Sequence, residues 1–342
     1  MGELGLHGVA VPSSDGGLGL GYGTQCRVME ILSRACPSVG LGYGAHSNLC
    51  MDQIVRRGSR AQKARWLPRL LSGDDIGALA MTETEAGSDV LSMRTSATRV
   101  GDHYVLRGGK MFITNAGPAA RYVVYARTAS SAPRGRQLSC FVVDARTPGL
   151  TWGTQISKFG MRGSHTRSLA FDGCRVPAQD RLGREGDGTD ILLAGLNTER
   201  LVLAAGPLGI MAACLDIVLP YIAARRQFGR PLAKQQMIQG KVADMQTALS
   251  ASRELVYAAA RAADAGVVAP ETSAAAILFA AEMATRTALD AVQCMGGYGY
   301  TTDYGVAKLV ADAKLYEIGA GTSEMRRKTI AGQIMKKVPK QD

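Results

Sequence analysis

The sequence predicts an α+β chain of several domains: a helical beginning, a compact antiparallel β domain and a helical bundle. Three observations predict it. The 342 residues exceed what one hydrophobic core organises, so the chain divides into domains. The hydrophobic period changes from that of a helix to two near Ile76, and back again near Asp187. Two long stretches in the last third keep helical spacing and stop at glycines. These readings place an N-terminal helical domain at residues 1–75, a middle β domain at 76–184, a C-terminal bundle at 185–337 and a tail at 338–342.

In the first region, QCRVMEILSRA sets Val28, Ile31 and Leu32 at helical spacing, and SRAQKARWLPRLLSG is a second amphipathic helix that stops at Gly73. DGGLGLGYG has the glycine density of a nucleotide loop, but no buried strand precedes it and it lacks the GxGxxG order. It reads as a surface loop. In the second region, HYVLRGGKMFITN reads as two strands around a Gly108-Gly109 turn, and RYVVYART, LSCFVVDA, LTWGTQI and SLAFDGCRV follow at short intervals. In the third, Val242, Met245, Leu249, Ser252 and Val256 form one stripe that Gly266 ends, and a helix opening at Pro270 runs to Gly296-Gly297. Long alanine-rich helices with short links predict an antiparallel bundle.

Composition narrows the function. Apolar residues at 46% and charged residues at 20% fit neither a disordered chain nor a membrane protein. No uninterrupted apolar run reaches the length of a membrane span, so no transmembrane segment is expected. The opening residues have neither the basic start and apolar core of a signal peptide nor the arginine-rich look of a transit peptide, so neither is expected. Seven scattered cysteines without a CxxC pair predict reduced thiols and no metal site. A net charge of +11 favours an anionic partner, although a generally basic compartment accounts for it equally well. The basic residues are dispersed and aromatics are 6%, which favours a phosphate-bearing small molecule and gives no expectation of nucleic acid.

Several segments carry chemistry. ALAMTETEAGSDV runs from an apolar strand into a small polar turn whose N–H groups and hydroxyls suit a flat polar ring or a phosphate; a decorated surface loop has the same composition. MFITN ends a strand where an aromatic face and a hydroxyl can meet the same ring. Glu199 is the only carboxylate between Asp190 and Asp216, and an apolar run follows it. Such surroundings raise a carboxylate's pKa and prepare a general base for a weakly acidic carbon; an ion pair with Arg200 or a solvated helix start is the competing account. In RRQFGRPLAKQQ, Arg225, Phe228 and Gln236 surround a turn with donors for an anionic cofactor, as loop-capping residues also would. QCMGGYGY is a helix end whose two glycines permit close backbone approach, or a plain helix stop.

Together, AMTETEAGSD, MFITN, RRQFGRPL, QCMGGYGY and GTSEMRR resemble the acyl-CoA dehydrogenase family in order and spacing over essentially the whole chain. Most of that family carries its catalytic glutamate immediately before the Gly-Thr; here IGAGT has Ala320 there. In the isovaleryl branch the base lies on the long helix after the β domain, and TERLVLAAGPLG places Glu199 at that position. GYGAHSNLC, GKVADM and DAKLYEIGAGTSE are similar to the same branch. The resemblance implies N-terminal helices, a middle antiparallel β-barrel and a C-terminal four-helix bundle, assembled as a homotetramer with FAD. The family has two further helices before the point where this chain begins, so the N-terminal domain is expected to be incomplete.

Carried over residue by residue, the resemblance puts Leu79, Ala80, Met81, Thr82, Glu83, Thr84, Glu85, Ala86, Gly87 and Ser88, with Phe112, Ile113 and Thr114, beside the isoalloxazine. Arg225 and Gln236, followed by Gln293, Cys294, Met295, Gly296 and Gly297, hold the adenosine pyrophosphate arm, and Thr322, Ser323 and Glu324 close the FAD site. Substrate contacts fall to Ser88, to Gly135 and Arg136 near the CoA end, to Asn197, Thr198, Glu199 and Arg200, and to Ala320 and Gly321; Asp190 replaces an aromatic contact. The implied activity is α,β-dehydrogenation of a short branched acyl-CoA in leucine breakdown. Glu199 takes the α-proton, a hydride goes to the flavin, and an electron-transfer flavoprotein is the electron acceptor. The mitochondrial matrix or a bacterial cytoplasm suits the thiols. An acyl-CoA oxidase, a dehydrogenase of another chain length and a flavin-free scaffold are the alternatives.

Overall fold

The computed structural model describes residues 1–129 and 131–338, so the expected tail beyond Val338 lies outside the described residues. In chain order the helices are α1 (Gly21–Ala35), α2 (Pro37–Gly44), α3 (Met51–Arg57), α4 (Arg60–Ser72), α5 (Gly188–Leu203), α6 (Ala205–Ala224), α7 (Gln236–Asp264), α8 (Pro270–Met295), α9 (Val306–Leu315) and α10 (Ser323–Met335). The strands are β1 (Gly77–Ala80), β2 (Ser96–Val100), β3 (His103–Thr114), β4 (Arg121–Arg127), β5 (Leu138–Asp144), β6 (Leu150–Trp152), β7 (Thr166–Pro177), β8 (Arg181–Leu182) and the short pair β9 (Arg226–Gln227) and β10 (Arg230–Pro231). Two units form: Met1–Gly21, Gly42–Ser157 and Ser164–Glu199 make the first, and Tyr22–Leu41, Lys158–Gly163 and Arg200–Asp342 the second.

The first unit is built on a sheet of order β6-β7-β3-β2-β4-β5-β8, with β1 added beside β4. Alternation along β4 and β5 sends Tyr122, Val124, Phe141 and Val143 into one core with Tyr104, Leu106 and Phe171. The intervening Val123, Tyr125, Cys140 and Val142 enter a second core with Trp66, Leu67 and Leu70 of α4 and Ile191, Leu192 and Leu196 of α5. Both faces of these strands are therefore covered, which is why RYVVYA and LSCFVV read as unbroken apolar runs. Helix α4 has the boundaries its sequence dictates. Ser59 accepts from Gln62 N, the Gln62 side chain accepts from Ser59 N, and Gly73 closes the helix in the left-handed conformation.

Three expectations need correction here. Gly108 and Gly109 do not form a hairpin turn: β3 runs straight through them, paired with Phe171 and Ala170 of β7, and the turn into β3 is at Gly101 and Asp102. Their glycines answer a steric demand instead. Gly108 has φ 135°, and a Cβ there would lie 2.8 Å from Thr95 Cα. The sheet is also not purely antiparallel, since β1 and β2 each pair with β4 in parallel. Of LTWGTQI only Leu150–Trp152 is a strand.

In the second unit α8 packs on α6, α7, α9 and α10. Its buried stripe is mostly alanine (Ala274, Ala281, Ala284, Ala288, Ala291), which lets neighbouring backbones come close. The stripe on α7 is as read, with Met245, Leu249, Ser252 and Val256 buried and Val242 half-buried. Helix α1 corrects the sequence reading: it buries Gln25, Cys26, Met29, Glu30 and Ser33, and leaves Ile31 54% exposed. Glu30 decides this face. Arg253 (2.9 and 2.7 Å) and Tyr257 (2.6 Å) of α7 hydrogen-bond its carboxylate, so the charge is satisfied inside. In DGGLGLGYG, Gly16 to Leu20 is irregular, whereas Tyr22 N and Gly23 N open α1 against Asp264. The stretch Gly188–Ala224 is long and apolar enough to cross a membrane, but 89% of its most apolar window is buried inside the protein.

Candidate functional site

In the first unit, the turn after β1 is shaped by a buried ion pair. Glu83 accepts from Arg94 N (2.6 Å), Thr95 N (2.9 Å) and Lys110 Nζ (2.8 Å), and Lys110 also donates to Met81 O (3.1 Å). Burial pushes the Lys110 ammonium down to about 8 against the opposing pull of Glu83. Burial also acts to raise Glu83, but Lys110 and the N–H donors outweigh it and hold the carboxyl below its ordinary range. With Glu83 and Ala86 turned inward, Thr84, Glu85, Gly87 and Ser88 face out; Leu79, Met81 and Thr82 are half-buried, and Ala80 is fully buried. Met111 N donates to Thr82 O, which ties the turn to β3 beside Phe112.

Phe112 has φ 59° and is 60% exposed, an uncommon conformation for an aromatic residue and a prominent ring for the surface beside that turn. Ile113 is buried and Thr114 half-buried. Asn115, with φ 67°, anchors the strand end by donating to Gly42 O and Gly77 O. The motifs that the sequence singled out separately, TETEAGSD and MFITN, are thus joined on the surface of one sheet.

Glu199 lies in the last turns of α5 and is 5% exposed, which removes the account of a solvated helix start. Its neighbour Thr198 donates to Asp52 Oδ2 (3.2 Å), and a Cβ on Gly195 would fall 1.7 Å from Gln53 Nε2, so α5 sits close on α3. The Tyr125 phenol is pushed well above its ordinary range by burial, by Cys140 and by the charge of Glu199. Asn197 is half-buried. Arg136 pairs with Asp187 (2.8 Å) and Asp190 (3.5 Å), so the predicted Arg136 and Asp190 meet in an ion pair beside exposed Gly135.

In the second unit, buried Arg200 donates to Ala320 O (3.2 Å). Ala320 (φ 58°) and Gly321 (φ 86°) are consecutive left-handed residues, and only the second is a glycine. Arg326, fully buried, donates to Gly319 O (2.5 Å), so arginines hold two successive carbonyls at the start of the turn. Thr322 caps α10 by accepting from Met325 N (3.3 Å), Ser323 is buried, and Glu324 is exposed in the first helical turn.

The same unit contains a cavity of about 550 Å³ at the ends of α6 and α8. Arg225, Gln293, Cys294, Met295, Gly296 and Gly297 line it, as the sequence motifs suggested, whereas Gln236 is exposed at the start of α7 and is not among the lining residues. Sequence reasoning missed Tyr221 and Tyr298 on its wall. The signals were there: Tyr298 lies within the QCMGGYGY segment, and Tyr221 precedes Arg225 by one helical turn. Gly296 (φ 59°) and Gly297 would present a new Cβ to open space, so their backbone is accessible. A guanidinium, an amide and bare backbone around such a volume fit the phosphate-bearing arm of a dinucleotide such as FAD.

Comparison with known proteins decides the family. The N-terminal, middle and C-terminal domains of acyl-CoA dehydrogenases match residues 1–74, 78–174 and 186–335. The chain belongs to the acyl-CoA dehydrogenase family. A mitochondrial isovaleryl-CoA dehydrogenase of Arabidopsis thaliana is 53% identical over 98% of this chain and 82% of its own length. A mitochondrial 2-methylacyl-CoA dehydrogenase of Solanum tuberosum is 50% identical over 98% of this chain and 81% of its own. The solved butyryl-CoA dehydrogenase of Megasphaera elsdenii superposes with a TM-score of 0.95 at 36% identity, covering 98% of this chain and 89% of that one. This acyl-CoA dehydrogenase is an FAD-dependent oxidoreductase of mixed α+β architecture.

Proposed function

We propose that this acyl-CoA dehydrogenase oxidises a short branched acyl-CoA, converting isovaleryl-CoA to 3-methylcrotonyl-CoA in leucine breakdown, with Glu199 as the base. One observation carries the assignment of the base. Glu199 is a carboxylate 5% exposed on an apolar helix, while position 320, where most relatives keep their acid, is an alanine.

The α-carbon of a thioester is a weak acid, and a solvated carboxylate is a poor base for it. Withdrawal from water makes the carboxylate more basic and brings its pKa closer to that of the carbon it must deprotonate. The neutral carboxyl formed by proton transfer suits the same apolar surroundings better than the anion does. Arg200, bonded to Ala320 O, keeps the turn before α10 in its left-handed course without placing a second carboxylate there. FAD, when bound, supplies the two-electron acceptor for the hydride that leaves the β-carbon. Arg225, Gln293, Gly296 and Gly297 would hold its adenosine pyrophosphate arm. Thr84, Gly87, Ser88 and Phe112 would meet the ring, and Thr322, Ser323 and Glu324 would complete the site.

The names of the relatives at 50–53% identity support a branched acyl substrate, and the Solanum relative makes a 2-methylacyl-CoA the second reading. Electron transfer to an electron-transfer flavoprotein, a homotetramer and the mitochondrial matrix, with a bacterial cytoplasm as the alternative, complete the proposal. All seven cysteines are free thiols, which suits either reducing compartment. The test is Glu199→Gln. The variant keeps its yellow flavin and its reduction by isovaleryl-CoA slows by about 10²–10⁴-fold, the usual range for a general base. Reduction at the parent rate overturns the assignment, and a purified chain without flavin leaves the scaffold reading.

A further inference from the structure

We propose that Tyr298 and Tyr221 are positioning residues for the anionic arm of the cofactor: the Tyr298 ring aims the Arg225 guanidinium, and the Tyr221 hydroxyl fixes the backbone that opens Gly296 and Gly297 to the cavity. The proposal rests on the reading of this cavity as the FAD arm's seat.

Arg225 leaves the end of α6 in extended conformation, with its N–H bonded to Tyr221 O (2.8 Å) and its carbonyl accepting from Leu232 N (2.8 Å). The backbone is thereby set, but a long side chain is not. Among the described residues no carboxylate lies within 4 Å of the guanidinium and no acceptor takes its hydrogen bonds; its ordering contact is the Tyr298 ring, 5.5 Å from centroid to Cζ. Such a contact holds a cation by the ring's quadrupole while leaving every N–H free for an incoming anion. The ring is itself braced. Tyr298 packs on Tyr221 (6.3 Å) and Tyr304 (5.9 Å), and Tyr221 on Tyr304 (5.5 Å, 77°). Tyr221 Oη donates to Met295 O (3.2 Å), the last carbonyl before Gly296 turns to φ 59°. A carboxylate partner for Arg225 would neutralise the charge that the phosphates need; an aromatic one orients it and leaves the charge in place.

The experiment measures release of FAD from the purified holoenzyme by flavin fluorescence, and affinity of the stripped protein for FAD and for ADP by titration. Tyr298→Leu is expected to weaken both ligands roughly three- to thirtyfold, the range of a cation–π contact between exposed and desolvated limits. Tyr298→Phe keeps the π face and binds like the parent. Tyr298→Leu adds no further loss in an Arg225→Met background, and both variants lessen the salt dependence of ADP binding. Tyr221→Phe, which keeps its ring, weakens FAD by about two- to tenfold through loss of the Met295 hydrogen bond. Parent affinity in Tyr298→Leu, equal damage in Tyr298→Phe, or losses that multiply in the double variant overturn the platform. If the parent protein binds neither FAD nor ADP, the cofactor reading falls first and the platform with it.

Discussion

Replacing Lys110 by methionine tests whether the buried pair sets the turn that carries Thr84 to Ser88. Lys110 has no exposed side-chain surface and Glu83 has 10%. Methionine refills most of the lysine's volume, so the chief loss is electrostatic: Glu83 remains in the interior with Arg94 N and Thr95 N as its backbone donors. Removing one partner of a buried pair costs about 3–5 kcal/mol. Glu83→Gln is gentler. The amide oxygen still accepts from the backbone, and Lys110, already pushed down to about 8 by burial, escapes its unpaired charge by releasing the proton. That variant is expected to lose about 1–2 kcal/mol, comparable to one charged hydrogen bond. At about 2–4 °C per kcal/mol, Lys110→Met lowers Tm by roughly 6–20 °C and Glu83→Gln by about 2–8 °C. Calorimetry at pH 7 with flavin saturating reads both. A parent-like melt for Lys110→Met, or a larger loss for Glu83→Gln, refutes the reasoning. A pH series adds a sign: the folded Lys110 pKa lies below the unfolded one, so the unfolded chain binds more protons between about 8 and 10.5, and the parent gains stability through that window where Lys110→Met does not.

His46 supplies a second titration. Burial, then the neighbouring His7, pushes its imidazole down to about 4, and the ring is bonded through Nε2 to Leu70 O and through Nδ1 to Gly77 N, an arrangement met by the neutral tautomer that donates from Nε2. The unfolded chain takes up that proton first as pH falls below about 6.5, so stability declines from there to about pH 4 by about 3 kcal/mol; His46→Gln flattens this part of the Tm-against-pH curve, and an unchanged slope would refute it. Ser59→Ala removes one half of the capping box at α4 and lowers Tm by about 2–4 °C, corresponding to about 1 kcal/mol, in a thermal melt; no change would mean that Gln62 alone caps the helix.

Much of this chain was legible as sequence because much of it is decided within one or two turns of backbone. Ser59 with Gln62, Pro270 at the first turn of α8, and the closing glycines Gly73 and Gly266 mark helix ends by local hydrogen bonding and allowed dihedrals, and no distant residue is needed to place them. The stripe from Met245 to Val256 is likewise a property of helical period. That position 320 holds an alanine, and that Glu199 is the only carboxylate between Asp190 and Asp216, is visible as letters alone.

The remainder depended on partners that sequence distance hides. Gly108 and Gly109 have the local preferences of a hairpin turn, but pairing with Phe171 and Ala170 of β7 makes them the middle of a strand, and the approach of Thr95 leaves no room for a side chain at Gly108. Val28, Ile31 and Leu32 promised the buried face of α1, but Arg253 and Tyr257, more than 220 residues away, satisfy Glu30 on the face that is buried, while Ile31 is exposed and Val28 and Leu32 are half-buried. Glu83 reads as one polar residue of an exposed motif until Lys110 claims it. Helix and turn boundaries are set by short-range sterics, and the sequence determined them. Which polar group is buried, and which ring aims which charge, is settled by desolvation against partners far along the chain, and only the tertiary structure decided it.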